Sequence, residues 1–361
     1  MGVFRLEALP AREGDCLLLS YGESDDRLSR IVVDAGHSST GKALVEHLDA
    51  LGVAEIELLV VTHVDADHIE GMLDFLEAVQ GRVAIGDVWF NGWRHLRDGL
   101  EGFGPAQGER LTTLISGLNW NGAVGGRAVR VADDGSPVPL PALPGGMLMT
   151  VLSPSRAKLV KMEPVWEKAC AAAGLVPGEC KADEHGRPGL EPMGGDVETL
   201  AARITKDDTA PANGTSIALL AEFGGVRVLL GADAHPDMLT ASLKRLEGGA
   251  PVRLDLFKLP QHGSQANVTR EMMVAVDCHN FLVSTDGSKF NHPDETAIAR
   301  VVASRTDGVH LLFNYRQDRT TMWELKAEGE RAHPFDVRFP DAEGEPLVVE
   351  LDPGDVLRPG G

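Results

Sequence analysis

Residues 62–71 read Thr-His-Val-Asp-Ala-Asp-His-Ile-Glu-Gly, and His63, Asp65, Asp67 and His68 put four metal-capable side chains within six positions. Imidazoles and carboxylates this close together can share a divalent cation. Mixed nitrogen and oxygen ligands suit zinc, manganese or iron, whereas calcium takes oxygen alone. The ordinary alternative is N-capping, in which Asp-x-Asp before a helix accepts backbone N–H bonds. Two His and two Asp packed this tightly make capping an incomplete account.

The elements that must hold these groups are legible around them. Leu58-Leu59-Val60-Val61 reads as a buried strand, so the cluster sits at its carboxyl end. Open α/β sheets bind their ligands at that end. The same placement recurs along the chain. A strand over 30–34 ends in Asp34-Ala-Gly, and one over 226–230 runs into Gly231-Ala-Asp233. A strand over 254–259 is followed by Pro260-Gln-His262-Gly-Ser264, and one over 280–284 by Asp286-Gly-Ser-Lys289-Phe-Asn-His292-Pro293. Taken singly, Asp233 suits a helix cap, His262 a surface loop, and His292-Pro293 a helix entry. Their coincidence with the first cluster argues for a centre assembled from both halves of the chain.

Periodicity supplies the remaining elements. Strands are expected at 3–9, 15–21, 57–61, 83–90, 147–152, 309–314 and 321–326, and helices at 40–51, 69–79, 107–118, 155–173, 236–246, 268–276 and 294–304. Gly224-Gly225 between 216–223 and 226–230 signals a hairpin. The Pro- and Gly-rich stretch 135–146 and the aperiodic 177–198 read as loops, and 347–351 as one more strand. The two halves, about 1–152 and 212–326, each open with paired strands and continue as βα units. This predicts an α/β domain over 1–326 with a large insertion at about 93–210 and a C-terminal extension at 327–361.

With 361 residues, 43% of them hydrophobic, the chain can bury a large core. No apolar run reaches the ~20 residues that span a bilayer, and the first residues do not form a signal peptide. Cys16, Cys170, Cys180 and Cys278 form no Cys-x-x-Cys, so a thiolate zinc site has no support and a reducing cytoplasm is expected. A net charge of -20 disfavours broad binding to nucleic acid, though bound cations can offset it locally.

The ordered motifs resemble the metallo-β-lactamase-fold hydrolases, whose pattern after a strand is His-x-His-x-Asp-His. Here it stands as His63-Val-Asp65-Ala-Asp67-His68. Asp at the second His position is similar to the competence-type branch, the soluble nuclease domain of DNA-uptake proteins. Gly14-Asp15-Cys16, Val33-Asp34-Ala-Gly36, Asn213-Gly-Thr-Ser216, Leu230-Gly-Ala-Asp233, Lys258-Leu-Pro-Gln-His262-Gly-Ser264 and Asn291-His292-Pro293 resemble further motifs of that branch. The match covers roughly 3–90 and 212–325.

The resemblance implies an αββα sandwich, two mixed sheets face to face with helices outside. It implies two divalent ions, zinc or manganese, held by His63 and Asp65 on one side and by Asp67, His68 and His292 on the other. Asp233 would bridge them, and one ion alone is the alternative. His262 and Ser264 would contact a phosphate or a metal, and Asp34 would orient a ligand His. Asp67, His262, Ser264 and Asp34 form the implied catalytic group, with Ser264, Asn213 and Lys289 toward substrate. The family often adds a His between the first cluster and the bridging Asp; His95 and His185 are the candidates, and His262 or a carboxylate the substitute. The implied activity is a phosphodiesterase, a nuclease first, acting on nucleic acid or a small phosphodiester. Hydrolysis of a small ester, lactone or amide is the runner-up, and a metal-stabilised partner-binding protein the non-enzymatic alternative.

Overall fold

The computed structural model describes residues 2–96, 106–172 and 196–351. Their strands form two large sheets and a separate pair. The first sheet contains β1 (Val3–Ala8), β2 (Leu17–Ser24), β3 (Arg27–Val33), β4 (Glu55–Val60) and β5 (Ala84–Trp89) in that order. It is antiparallel through β3 and parallel from β3 to β5. The second sheet starts with β6 (Val138–Pro139), β7 (Leu148–Ser153), β8 (Ala218–Phe223) and β9 (Val226–Leu230), which are antiparallel. β10 (Val252–Leu254) pairs instead with β12 (Val276–Cys278). The second sheet then continues in parallel through β11 (Leu256–Lys258), β13 (Asn280–Val283), β14 (Val309–Phe313) and β15 (Phe335–Arg338). The last strand, β16 (Leu347–Glu350), returns to the first sheet and pairs antiparallel with β1.

Period-two alternation explains how the sheets stack. Leu17, Leu19, Leu58 and Val60 join Met149, Val151, Leu219, Val228 and Leu256 in one apolar cluster between the sheets. The alternate residues Leu18, Val32, Leu59 and Val61 face outward. There they meet α1 (Ser38–Ala50), α2 (Ala66–Val79), α3 (Ala106–Ile115) and α4 (Arg156–Ala172). The outer face of the second sheet is covered by α5 (Val197–Ala201), α6 (Pro236–Leu246), α7 (Arg270–Val274), α8 (Glu295–Val302) and α9 (Asp318–Ala327). The layers therefore run helix, sheet, sheet, helix.

Several elements differ from expectation. Residues 321–326 are helical and belong to α9. Gln317 and Thr320 form a capping box, Thr320 and Trp323 are buried three apart on one face, and Leu325 is exposed, so burial follows the helical period and not alternation. The strand expected at 254–259 breaks at Asp255, whose carboxylate accepts from Arg227 N at 2.8 Å. The helix expected at 268–276 gives way to β12, and α5 begins within the stretch read as loop. Residues 138–139 form a short strand inside the other expected loop. β15 had no expected counterpart. His185 and Cys180 lie outside the described residues; Cys16, Cys170 and Cys278 are buried free thiols. Among the described residues no helix is long and apolar enough to cross a membrane.

Candidate metal centre

The parallel strands of both sheets end at one place. β3 delivers Asp34, and β4 leads through Thr62 and His63 into α2, whose first turn carries Asp67 and His68. From the second sheet, β9 delivers Asp233, β11 His262 and β13 Ser284. The β1–β2 turn adds Asp15. Gly14 lets that turn lie against the head of α2, since a Cβ there would sit 1.8 Å from the Asp67 carbonyl oxygen. Four non-glycine residues at these ends, Asp34 (φ 56), Ala232 (φ 47), Gln261 (φ 43) and His262 (φ 53), adopt the left-handed region. Such strain collects where surrounding packing holds a functional group in place.

His63, His68, Asp67, Asp233 and His262 are all buried. Asp233 Oδ2 lies 3.9 Å from His63 Nε2 and 3.6 Å from His68 Nε2, while its Oδ1 lies 3.6 Å from His262 Nε2. His262 Nε2 is also 3.9 Å from Asp67 Oδ2. Asp233 thus faces imidazoles with both oxygens. His63–His68–Asp233 and Asp67–His68–His262 each gather three ligand atoms within 4.8 Å of one another. Asp65 stands at the rim, half-exposed, with Oδ2 3.6 Å from His63 Nε2. Its side chain makes no capping bond to α2, and α6 is preceded by His235, not Asp233. Capping therefore explains neither acid.

The opposite edges of the rings are held by protein groups. His68 Nδ1 donates to Asp34 Oδ2 at 2.8 Å, and His262 Nδ1 donates to the Ser284 carbonyl at 2.9 Å. Beneath the centre, Lys258 Nζ donates to Asp15 Oδ2 with both side chains fully buried. Asp15 Oδ1 lies 3.6 Å from His262 Nδ1.

Charge follows from this packing. Burial alone would raise the Asp233 pKa, but His262, His68 and His63 hold it well below the carboxylate range. Burial would lower His68, yet Asp233 and Asp34 raise it well above the usual value. His262 is raised in the same way by Asp233 and Asp15 against burial. Burial pushes Asp65 up, and His63 brings it below its usual value.

These residues fit a divalent ion. His63 Nε2, His68 Nε2, His262 Nε2 and Asp233 Oδ1 are buried and have no hydrogen-bond partner. Buried polar atoms are nearly always satisfied, so several partnerless ones aimed at one spot suit a bound cation. Tetrahedral ligands at the usual Zn–N distance lie roughly 3.4 Å apart, a few tenths from the separations seen.

Other expected residues stand apart from those triads. His292 is in none of them; burial and the nearby His262 lower its pKa to about 3, and its Nδ1, 3.6 Å from Asp294, lacks a hydrogen-bond partner. Ser264 accepts from Ala266 N at 3.2 Å. Asn213 gives one amide N–H to Asp208 at 2.8 Å, and its buried Oδ1 has no hydrogen-bond partner. Lys289 lies 3.9 Å from Glu13 and 4.9 Å over Phe290. His95 points its Nε2 at the Gly126 carbonyl, 3.2 Å away, and packs against Trp120. Burial, aided by Arg94, lowers its pKa to about 4. Three groups at the centre, Asp15, Thr62 and Lys258, were not among the expected site residues. A signal existed for each: Gly-Asp before a strand, Thr at the strand end, and a lone Lys in the apolar run Leu256-Phe-Lys-Leu.

No protein-family model matches the chain, and no curated protein matches it. Among solved structures it is similar to a mutant flavo di-iron protein from Thermotoga maritima, with 9% identity over 93% of this chain and 88% of that one. The TM-score is 0.27, too low to transfer either fold or function.

Proposed function

We propose that this protein is a metal-dependent hydrolase of the metallo-β-lactamase fold that cleaves phosphodiesters, a nuclease first. The observation that carries the metallohydrolase reading is the convergence of partnerless, buried imidazole and carboxylate atoms from both sheets on one point. The phosphodiester part leans on Asp65, which stands where most of the resembling family has His.

His63, His68 and Asp233 would hold one ion, with Asp65 at its rim; Asp67 and His262, which gather with His68, would hold a second. Zinc and manganese both accept this donor set. A divalent ion so held lowers the pKa of a coordinated water and polarises a phosphoryl oxygen. The chain's own part is positional. Asp34 and the Ser284 carbonyl fix the His68 and His262 rings, and the buried Lys258 balances part of the acid beneath them. The net charge of -20 favours a second reading, hydrolysis of a small ester, lactone or amide, because it repels polyanions.

Metal analysis of the purified protein, followed by assays with Mn²⁺ or Zn²⁺, tests both readings. Cleavage of bis-p-nitrophenyl phosphate and linear DNA, lost in Asp233→Ala, is expected. Turnover of lactones or thioesters without phosphodiester cleavage would transfer the assignment to the second reading. Absence of bound transition metal would remove both.

A further inference from the structure

The contacts of Thr62 determine where two imidazoles carry their protons. Asp34 Oδ1 accepts from Thr62 N at 2.8 Å, and Oδ2 accepts from the Thr62 hydroxyl at 2.7 Å and from His68 Nδ1 at 2.8 Å. A carboxylate only accepts, so the single hydroxyl proton of Thr62 lies toward Asp34. The same hydroxyl oxygen is 3.0 Å from His63 Nδ1. With its proton committed, the oxygen can only accept there, and His63 must bear its proton on Nδ1. A neutral imidazole has one N–H, so Nε2 of both rings is left with a lone pair facing Asp233.

We propose that Thr62 is a positioning residue that extends the reach of one buried carboxylate to two ligands. Asp34 orients His68 directly and His63 through the Thr62 hydroxyl, so both rings turn Nε2 to the same ion. His262 is an internal control, because the Ser284 carbonyl fixes it independently. The backbone of Thr62 is anchored separately, its carbonyl accepting from Ile217 N of the opposite half at 3.0 Å. Removing the hydroxyl therefore leaves the strand end in place. The inference rests on the metal-centre reading for its purpose, though its spectroscopic test needs no metal.

Histidine ¹⁵N NMR of metal-free protein, followed upward in pH until each ring shows a single N–H, reads the tautomers. The wild type is expected to show Nδ1–H at His63, His68 and His262. Thr62→Val should shift His63 alone toward Nε2–H and weaken zinc binding by about 10–100-fold, and Thr62→Ser should restore both. Retention of Nδ1–H at His63 in the valine variant overturns the relay. Should that variant fail to fold, serine and alanine replace it, and equal His63 spectra for the two overturn the relay as well. If wild-type protein binds no zinc while the tautomers respond as stated, the metal-centre reading fails and the relay stands.

Discussion

Lys258 is wholly buried beside Asp15, in a position where a lysine is rare unless paired. Removing one partner leaves the other charge buried and uncompensated. Lys258→Met is expected to destabilise by about 3–5 kcal/mol in urea titration, and Asp15→Leu added to it should recover most of that. Additive losses in the double variant would show the pair is not coupled. A pair of carboxylates brackets His37, whose Nδ1 lies 2.7 Å from Glu70 and Nε2 2.9 Å from Glu13. Both nitrogens facing carboxylates requires the imidazolium. The hydrogen bond to Glu13 raises the His37 pKa against burial, with help from Glu70. Its contribution is full below the usual 6.5 and fades as pH rises through the raised value. Burial would raise Glu13, but His37 brings it to about 2, so its contribution is full above the usual 4.5 and fades as pH falls toward that value. His37→Gln should cost about 1–2 kcal/mol between those two usual values and progressively less in alkali. Thermal melts across pH check this, and a gap widening toward alkali refutes it. At this scale the candidate ligands stand out because His and Asp cluster in the sequence. Lys258 shows only as a lone Lys in an apolar run, and the fold alone shows that its neighbour across the sheets is an acid.

The element scale explains why strand ends were easy to read and the rest less so. Leu58 to Val61 alternates between two buried faces, which produces an unbroken apolar run. The motifs that follow such runs then lie at carboxyl ends by necessity. The strand expected at 321–326 is helix instead: Trp323 is buried, Met322 packs partly buried beside it, Leu325 is exposed, and the Gln317 capping box starts the turn. Backbone strain was also invisible in sequence: Ala232 gives no hint of its left-handed φ of 47. An L-residue there costs about 1–2 kcal/mol, while glycine adds about 0.4–1 kcal/mol of unfolded-state entropy. Ala232→Gly is therefore expected to raise stability by roughly 0.5–1 kcal/mol, opposite in sign to a glycine introduced into regular structure. Denaturant midpoints decide it; a loss of stability would mean that the alanine is relaxed in place.

Across the whole molecule, the centre draws on both sheets. His63, Asp67 and His68 belong to the first half, and Asp233 and His262 to the second. The chain also crosses between the sheets at its end, where β15 extends the second sheet and β16 then closes the edge of the first. Local sequence signals could suggest β16 as a strand but not its partner, because pairing with β1 spans nearly the whole chain. A cation bound by both halves stabilises only the state in which the sheets face each other, and it also relieves repulsion within a buried acidic cluster. Ligand held at about 100 times its Kd adds roughly 2.7 kcal/mol, and for a chain of this size that raises Tm by about 3–4 °C. Calorimetry with zinc or manganese, and again after chelation, should show that rise and its reversal. Asp233→Ala should abolish the shift, since a carboxylate that faces imidazoles from both halves is gone. A Tm indifferent to metal in the wild type would mean that the two halves meet at this point without sharing an ion.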